Sequence, residues 1–369
     1  MSIPRKKQLI GLDIGSFSIK LVEINHNKKG RRLKNFGVAL LPEGAIVEGE
    51  IQRPKEISSV IKRLFHNLKV RNKKVAISIS GFSVIAKKIK VDISDEEGIE
   101  KTIRDKAEEY IPFDIDDVNL DFDILEPEHF FEQDNVDEAS EETSNVRDVM
   151  VVAAKKDIVN SYMEMLEDIR LVPVIMDVDM FALQNAFEIS KPWDPQNEDK
   201  CIALVDIGAE KIGINIIKEN ISLFTRVSCP FGGMQITGQL MSKLKVGFEE
   251  AEKIKTGGRV INENEKDTVE EIVASVVSEW VREIKSNIDF VYSTYPDESI
   301  EKIFVSGGAI GISGFKDYLN METGIPVYDL NPFANLIIDE SRFDINYLNL
   351  MAPQSAVAVG LALRSVDDK

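Results

Sequence analysis

Cysteine and histidine are scarce. Cys201 and Cys229, with His26, His66 and His129, are the only ones among 369 residues. None of them cluster at metal-ligand spacing, so a zinc ribbon or finger is excluded, and two thiols cannot build a disulfide scaffold. A Cys201–Cys229 bridge stays open, although buried free thiols suit the chain better, as does a reducing cytoplasm. Basic residues are also in deficit: Lys and Arg number 45 against 63 Asp and Glu, for a net charge of −18. Without a local basic patch, this balance disfavours nucleic acid and anionic membrane surfaces. No run approaches the roughly 20 apolar residues of a spanning helix. Arg5, Lys6 and Lys7 precede an apolar stretch, but Asp13 interrupts it and Gly11 and Gly15 flank it, so no export signal is expected. The end, Asp367-Asp368-Lys369, carries no amphipathic anchor. The chain has no GxxxxGK[ST] loop and no GxGxxG after its first strand, which excludes a P-loop ATPase and that dinucleotide fingerprint.

What is present supports a large core. Hydrophobic residues make up 43% of the chain, enough for more than one lobe. Residues 8–14 and 19–24 read as two arms of a hairpin, and Pro54 opens a helix whose face carries Ile57, Val60, Ile61, Leu64, Phe65 and Leu68. Residues 75–80, 86–91, 118–125 and 149–154 read as strands. Ser94-Asp95-Glu96-Glu97 reads as a capping box for a helix running towards Tyr110, and Asp157 as the cap of another. Between them, residues 126–148 hold nine acids and one base, Arg147. They read as a solvated loop, with an acidic docking site as the sharper alternative. Residues 191–200 resemble a linker turn. A helix over 268–292 stacks Val269, Ile272, Val276, Trp280 and Ile284 on one stripe, which reads as core. The expected division is 1–82 for a first lobe, 83–176 for an inserted subdomain and 177–369 for a second lobe, with the C-terminus returning to the first.

The chemistry lies in an internal repeat. Leu12-Asp13-Ile14-Gly15 recurs as Val205-Asp206-Ile207-Gly208, 193 residues later, each time between two strands. A glycine-bearing hairpin turn lets backbone N–H groups approach an anion unobstructed. The aspartate at the strand end faces the same gap and suits a hydrated magnesium ion, which favours few carboxylates. Two such hairpins face to face would grip a triphosphate. A third element, the strand 303–306, ends in Gly307-Gly308, then Ala309, leaving room for a base or ribose against the backbone.

In this order the motifs resemble the actin superfamily, which includes actin, sugar kinases, DnaK-type chaperones and FtsA. The fold class implied is α/β: the actin-like (actin/DnaK/FtsA) ATPase fold, two lobes with an inserted FtsA-type subdomain. The resemblance implies an ATP/ADP and Mg2+ site. Asp13, Gly15, Ser16, Phe17, Ser18 and Lys20 would form its first phosphate loop, and Asp206, Gly208 and Ala209 its second. Gly307, Gly308 and Ala309 would face adenosine, and Glu252 and Lys255 the ribose. Asp13 and Asp206 would hold the metal. Asp179 stands where a first interdomain helix often carries the group that orients the attacking water, so Asp13, Asp179 and Asp206 are the catalytic candidates. Residues 354–363, rich in alanine and glycine, match a second interdomain helix.

Asp13-Ile14-Gly15-Ser16 with Ser18 and Lys20, Glu109-Tyr110-Ile111-Pro112-Phe113-Asp114, Val172-Pro173-Val174 and Phe231-Gly232-Gly233 resemble the PilM family of type IV pilus assembly. Gly232 and Gly233 join the nucleotide candidates through it. That family implies a cytoplasmic scaffold, peripheral at the inner membrane. Its partner would be the N-terminal cytoplasmic peptide of PilN, bound near residues 86–91 and 110–113, alongside other pilus platform proteins. Self-association stays open; no nucleic acid or direct membrane insertion is implied. An FtsA-like division protein and a small-molecule kinase are the alternatives. Ile212 departs from the family, which usually has a threonine there, so hydrolysis is expected to be slow at most.

Overall fold

Each Asp-Ile-Gly closes the first strand of a five-stranded sheet. The protein is described here by a computed structural model over residues 8–92, 99–125, 146–190 and 200–366. Strand β1 (Ile10–Ile14) turns back into β2 (Ser18–Asn27) and β3 (Gly30–Leu40), an antiparallel meander. A short hairpin, β4 (Ile46–Val47) and β5 (Glu50–Ile51), leads to α1 (Pro54–Asn67). Pro54 opens α1 because the first turn lacks an acceptor for its N–H anyway. Ile57, Val60, Ile61, Leu64 and Phe65 then face inward. Strand β6 (Lys74–Ile79) lies parallel to β1.

The next strands leave this sheet. β7 (Val84–Asp92), α2 (Ile99–Glu108), β8 (Val118–Leu125) and β9 (Val146–Lys155) form a separate unit, with an antiparallel sheet in the order β7-β9-β8. Its own small core includes Ile89, Val91, Ile103 and Val149. Helix α3 (Lys156–Glu167) and β10 (Val172–Val178) then return to the first lobe. β10 pairs parallel with β6, and Ile158, Tyr162, Met165 and Leu166 of α3 join the first lobe's core. The boundary expected at residue 176 therefore falls inside β10. Both groups of strands are short and apolar, so only their pairing separates them.

Helix α4 (Asp179–Ser190) crosses to the second lobe. There β11 (Cys201–Ile207), β12 (Ile212–Lys218) and β13 (Ile221–Ser228) repeat the meander. Helices α5 (Gly233–Leu244), α6 (Phe248–Lys255) and α7 (Glu263–Thr294) follow. Strand β14 (Ile300–Ser306), α8 (Phe315–Thr323) and β15 (Val327–Asp329) complete the sheet. Its order, β13-β12-β11-β14-β15, matches β3-β2-β1-β6-β10 strand for strand. The sequence repeat is thus a structural duplication. Helix α7 starts earlier than expected, at a capping box of Asn262 and Glu265.

The chain ends with α9 (Ile345–Met351) and α10 (Ala356–Leu363). α10 is buried on every side from Ala356 to Ala362, packed on β1 and β2 and crossing α4. Small residues permit this approach. A Cβ on Gly360 would lie 1.7 Å from the Ala182 carbonyl oxygen, and one on Gly11 would lie 2.1 Å from that of Ala358.

Other local expectations shift. Lys155, not Asp157, is the N-cap of α3; the Asp157 carboxylate instead accepts from the Ile158 N–H at 2.7 Å. β9 begins at Val146, so Arg147 and Asp148 belong to a strand, and Asp148 pairs with Lys88 at 3.3 Å. The capping box at 94–97, residues 126–145 of the acidic run and most of the turn at 191–200 lie outside the described residues.

Gly360→Ala would gain helix propensity of about 1 kcal/mol. The clash with Ala182 is expected to outweigh this by roughly 1–3 kcal/mol. The urea midpoint of the intact chain should fall; an unchanged or higher midpoint would remove the close-crossing argument.

Candidate functional site

The two duplicated hairpins meet across one cleft of about 1190 Å³. In the first, Asp13 on β1 stands opposite Lys20 on β2, and Lys20 Nζ lies 3.1 Å from Asp13 Oδ2. The turn closes by the Gly15 N–H donating to the Ser18 carbonyl at 3.2 Å. A Cβ on Gly15 would sit 3.5 Å from Lys20 Nζ, so the bare backbone keeps the ammonium accessible. In the second hairpin the Gly208 N–H donates to the Lys211 carbonyl at 3.0 Å, the same closure. The 193-residue offset places Lys211 at the position of Ser18, and Gly213 at that of Lys20. Each hairpin thus carries one lysine near its turn, at different corners.

Lys211 is the residue that sequence reasoning missed. Its Nζ donates to Asp179 Oδ2 at 2.5 Å and also contacts the Ser80 hydroxyl, which itself donates to Asp179 at 2.8 Å. Ser80 follows β6 and Asp179 starts α4, so this cluster joins the lobes across the cleft floor. The Glu48 N–H adds a second tie by donating to Glu210 at 3.0 Å. Neighbouring Ile212 is 2% exposed and belongs to the core, so the cleft corner goes to Lys211.

Burial sets the charge states. It pushes the Asp13 carboxyl above the usual carboxylate range, and Lys20 offsets only part of this. Burial also raises Asp206, although the Ser306 hydroxyl donates to it at 2.6 Å. Burial opposes the charge on Asp179 as well, but Lys211 and the hydrogen bonds it receives hold that carboxyl below its usual value. Burial works against the Lys211 charge, yet Asp179, Asp206 and Asp13 together keep its ammonium above the ordinary lysine value.

The remaining candidates divide by what their backbone touches. Gly307 has φ of 99°, and a Cβ there would lie 2.2 Å from the Ile207 carbonyl oxygen. Its bareness serves β11 rather than a base, whereas Gly308 faces open space in the cleft. Gly232 does not line the cleft. At φ of 137° it lies behind the second hairpin, and a Cβ would meet the Gly208 and Ala209 carbonyl oxygens at 2.7 Å. The next residues brace that turn: the Gly233 N–H donates to Gly208 at 3.0 Å and the Met234 N–H to Ala209 at 2.8 Å. On α6, Glu252 and Lys255 pair with each other, and both contact the Thr237 hydroxyl. Lys255 Nζ lies 5.9 Å from the Phe17 ring, so the tip of the first hairpin touches the second lobe. Ser16, Ser18 and Ala309 line the cleft. Among the described residues, no group of three or more His, Cys, Asp or Glu side chains gathers as a metal cage. Both cysteines are free thiols, and burial pushes Cys201 up to about 12.

The duplicated sheets, paired hairpins and crossing helices define an actin-like ATPase fold. The chain matches a structure described as "PilM-PilN type IV pilus biogenesis complex" at 28% identity and a TM-score of 0.83, covering 99% of this chain and 100% of that one. The ethanolamine utilization protein EutJ from Carboxydothermus hydrogenoformans shares the fold at 15% identity and TM-score 0.55, over 98% of this chain and 90% of its own. MreB5 of Spiroplasma citri, solved bound to ADP, does so at 12% identity and TM-score 0.50, over 98% and 96%. The sequence pattern of the family described as "Type IV pilus assembly protein PilM" matches residues 11–366. The chain belongs to that family, which favours neither the division-protein nor the kinase alternative.

A carboxyl whose pKa rises on folding holds protons that the unfolded chain has released. It therefore costs stability in full above its folded pKa, and that cost shrinks as pH falls through the folded value towards the unfolded one. Asp13 and Asp206 are in this position. Asp206→Asn is expected to raise the thermal midpoint of the nucleotide-free protein at pH 7, with the difference from wild type closing as pH approaches the carboxylate range. A lower midpoint at pH 7 would contradict the strain assigned to Asp206.

Proposed function

We propose that the protein is an ATP-binding scaffold of the type IV pilus inner-membrane assembly platform, recruited by the N-terminal cytoplasmic peptide of PilN. One observation carries the nucleotide reading: two identically closed Asp-Ile-Gly hairpins face the same cleft in a member of the PilM family. The residues suit Mg-ATP. Asp13 is buried and Asp206 half-buried, and desolvation raises the pKa of both, a state that a cation relieves. Two carboxylates and no full cage match magnesium, which keeps much of its water. Gly15, Ser16, Ser18, Gly208 and Ala209 offer the hairpin backbones, Lys20 and Lys211 the cations, and Gly308 the open wall for adenosine. Bound Mg-ATP would supply the negative charge that draws both hairpins to one ligand.

The same geometry argues for slow turnover. Asp179 is the cleft acid placed to orient a water, but Lys211 and Ser80 occupy one of its oxygens. A carboxylate held below its usual pKa and already paired is a weak general base. The protein is thus better built to hold nucleotide between its lobes than to cleave it.

PilN enters through the relative whose structure is described as a PilM-PilN complex. Among the described residues, no helix is long and apolar enough to cross a membrane, so membrane association would come through that partner. We assign the tail to the surface beside the inserted sheet. There Tyr110 is 41% exposed, and Lys87 Nζ lies 4.7 Å over its ring.

Calorimetric titration with the PilN peptide, with and without Mg-ATP, tests the reading directly. Saturable binding is expected, tighter with nucleotide; no binding in either state would overturn the recruitment. Asp13→Ala should weaken Mg-ATP about a hundredfold or more while leaving the circular dichroism spectrum intact. Unchanged affinity would sink the phosphate-loop assignment. Lys211→Ser should free Asp179 and raise ATP turnover about tenfold, a part of the roughly hundredfold or more that a positioned general base supplies; a lower rate would make Lys211 a phosphate ligand first.

A further inference from the structure

Charge is unevenly spread along this acidic chain. Residues 57–91 contain nine Lys or Arg and no Asp or Glu, although acids account for 63 of the 369 residues. Part of that stretch gathers at the far end of the first lobe. β1 ends at the cleft and β6 runs parallel to it, so the turn from α1 into β6 lies at the opposite edge of the sheet. A second cavity of about 490 Å³ opens there. Phe65, Val70 and Leu171 form its apolar floor. Lys62, Lys69, Arg71 and Lys73 stand exposed around it with His66, and no acid lines it.

Among the described residues, none of the four makes an ion pair, although Lys34, Lys218 and Arg259 elsewhere on the surface all do. Lys73 finds only the ring of Phe65, 5.1 Å from its Nζ. Four like charges held around one concavity repel each other, and an acidic ligand would relieve that repulsion. The concave shape and apolar floor favour a peptide with apolar side chains over a flat lipid surface.

The chain itself contains a matching sequence. Residues 126–145 carry eight acids, no Lys or Arg, and the pair Phe130-Phe131. They connect β8 to β9 on the inserted sheet, a different body from the first lobe's sheet that holds the cavity. We propose that residues 126–145 of a second copy dock in this basic cavity, so that copies associate head to tail. The acids of that segment suit the lysines and arginine of the rim, and its phenylalanine pair suits the apolar floor. Such a contact joins two different patches, so it propagates into a ring or an open string rather than a closed dimer.

Sedimentation velocity on the intact chain tests this. Concentration-dependent species larger than a monomer are expected at low salt, and they should dissociate near 1 M salt, where screening shortens to roughly 3 Å. A variant with Lys62→Glu, Arg71→Glu and Lys73→Glu should stay monomeric. So should one with the eight acids of 126–145 exchanged for Asn or Gln. Mixing the two should restore a one-to-one dimer and nothing larger, because one copy keeps the acidic segment and the other keeps the cavity. A labelled synthetic peptide of residues 126–145 should bind the intact chain, and bind the charge-reversed variant at least about tenfold more weakly. Circular dichroism confirms that each variant is folded. A wild type monomeric at every concentration would overturn the proposal, as would equal peptide binding to both cavities. Charge reversal that abolished capture by phosphatidylglycerol vesicles but left self-association intact would assign the cavity to lipid instead.

Discussion

Three aspartates, Asp13, Asp179 and Asp206, are drawn into one cleft where water cannot solvate them fully, and the site depends on how that charge is balanced. Two lysines share the task unequally. Lys20 sits directly across its hairpin from Asp13. Lys211 reaches from the second lobe to Asp179 at the start of α4, and so neutralises charge and joins the lobes with one side chain. Removing one member of a buried pair costs on the order of 3–5 kcal/mol, because the partner is left without compensation. The cleft is thus spanned by a contact that would have to adjust for a phosphate to enter. Asp13 and Asp206 remain less compensated, and desolvation raises both carboxyls.

This balance is possible because the two sheets are copies. In each, the first strand runs to the cleft, ends in Asp-Ile-Gly and turns back through the same glycine-closed hairpin. The aspartates therefore arrive at equivalent heights from opposite walls. Close crossing of α4 and α10 sets the spacing of the walls, and it relies on Gly360 having no side chain to hold it from Ala182. The duplication is inexact where chemistry differs. The second hairpin has its lysine at the turn rather than opposite the aspartate, and that displacement brings Lys211 within reach of the first lobe.

Much of this was legible in the residues. The hydrophobic stripe of α7 and the proline-led face of α1 specified helices, because burial and periodicity act locally. The repeat of Asp-Ile-Gly pointed to the two hairpins that line the cleft, since two copies half a chain apart are hard to explain as ordinary turns. Long-range pairing was not legible. β10 reads like the inserted strands before it, and only its bonds to β6 return it to the first lobe. Lys211 reads as one more surface lysine, because its partners Ser80 and Asp179 lie 131 and 32 residues away in sequence. Gly232 resembles a ligand-contacting glycine, but its freedom is consumed by the carbonyls of the neighbouring turn. A glycine's presence is visible in sequence; the atom that requires it is not.

Ile212, after the second Asp-Ile-Gly, turns its side chain into the core. The adjacent Lys211 places an ammonium in the cleft. A hydroxyl can orient a water or bind phosphate without altering the acid beside it. An ammonium cannot: it lowers the proton affinity of Asp179 while strengthening attraction for an incoming polyanion. At the proposed nucleotide site, the ammonium of Lys211 would therefore favour retention over cleavage. On that reading, an occupied and closed state that persists would keep a partner surface assembled.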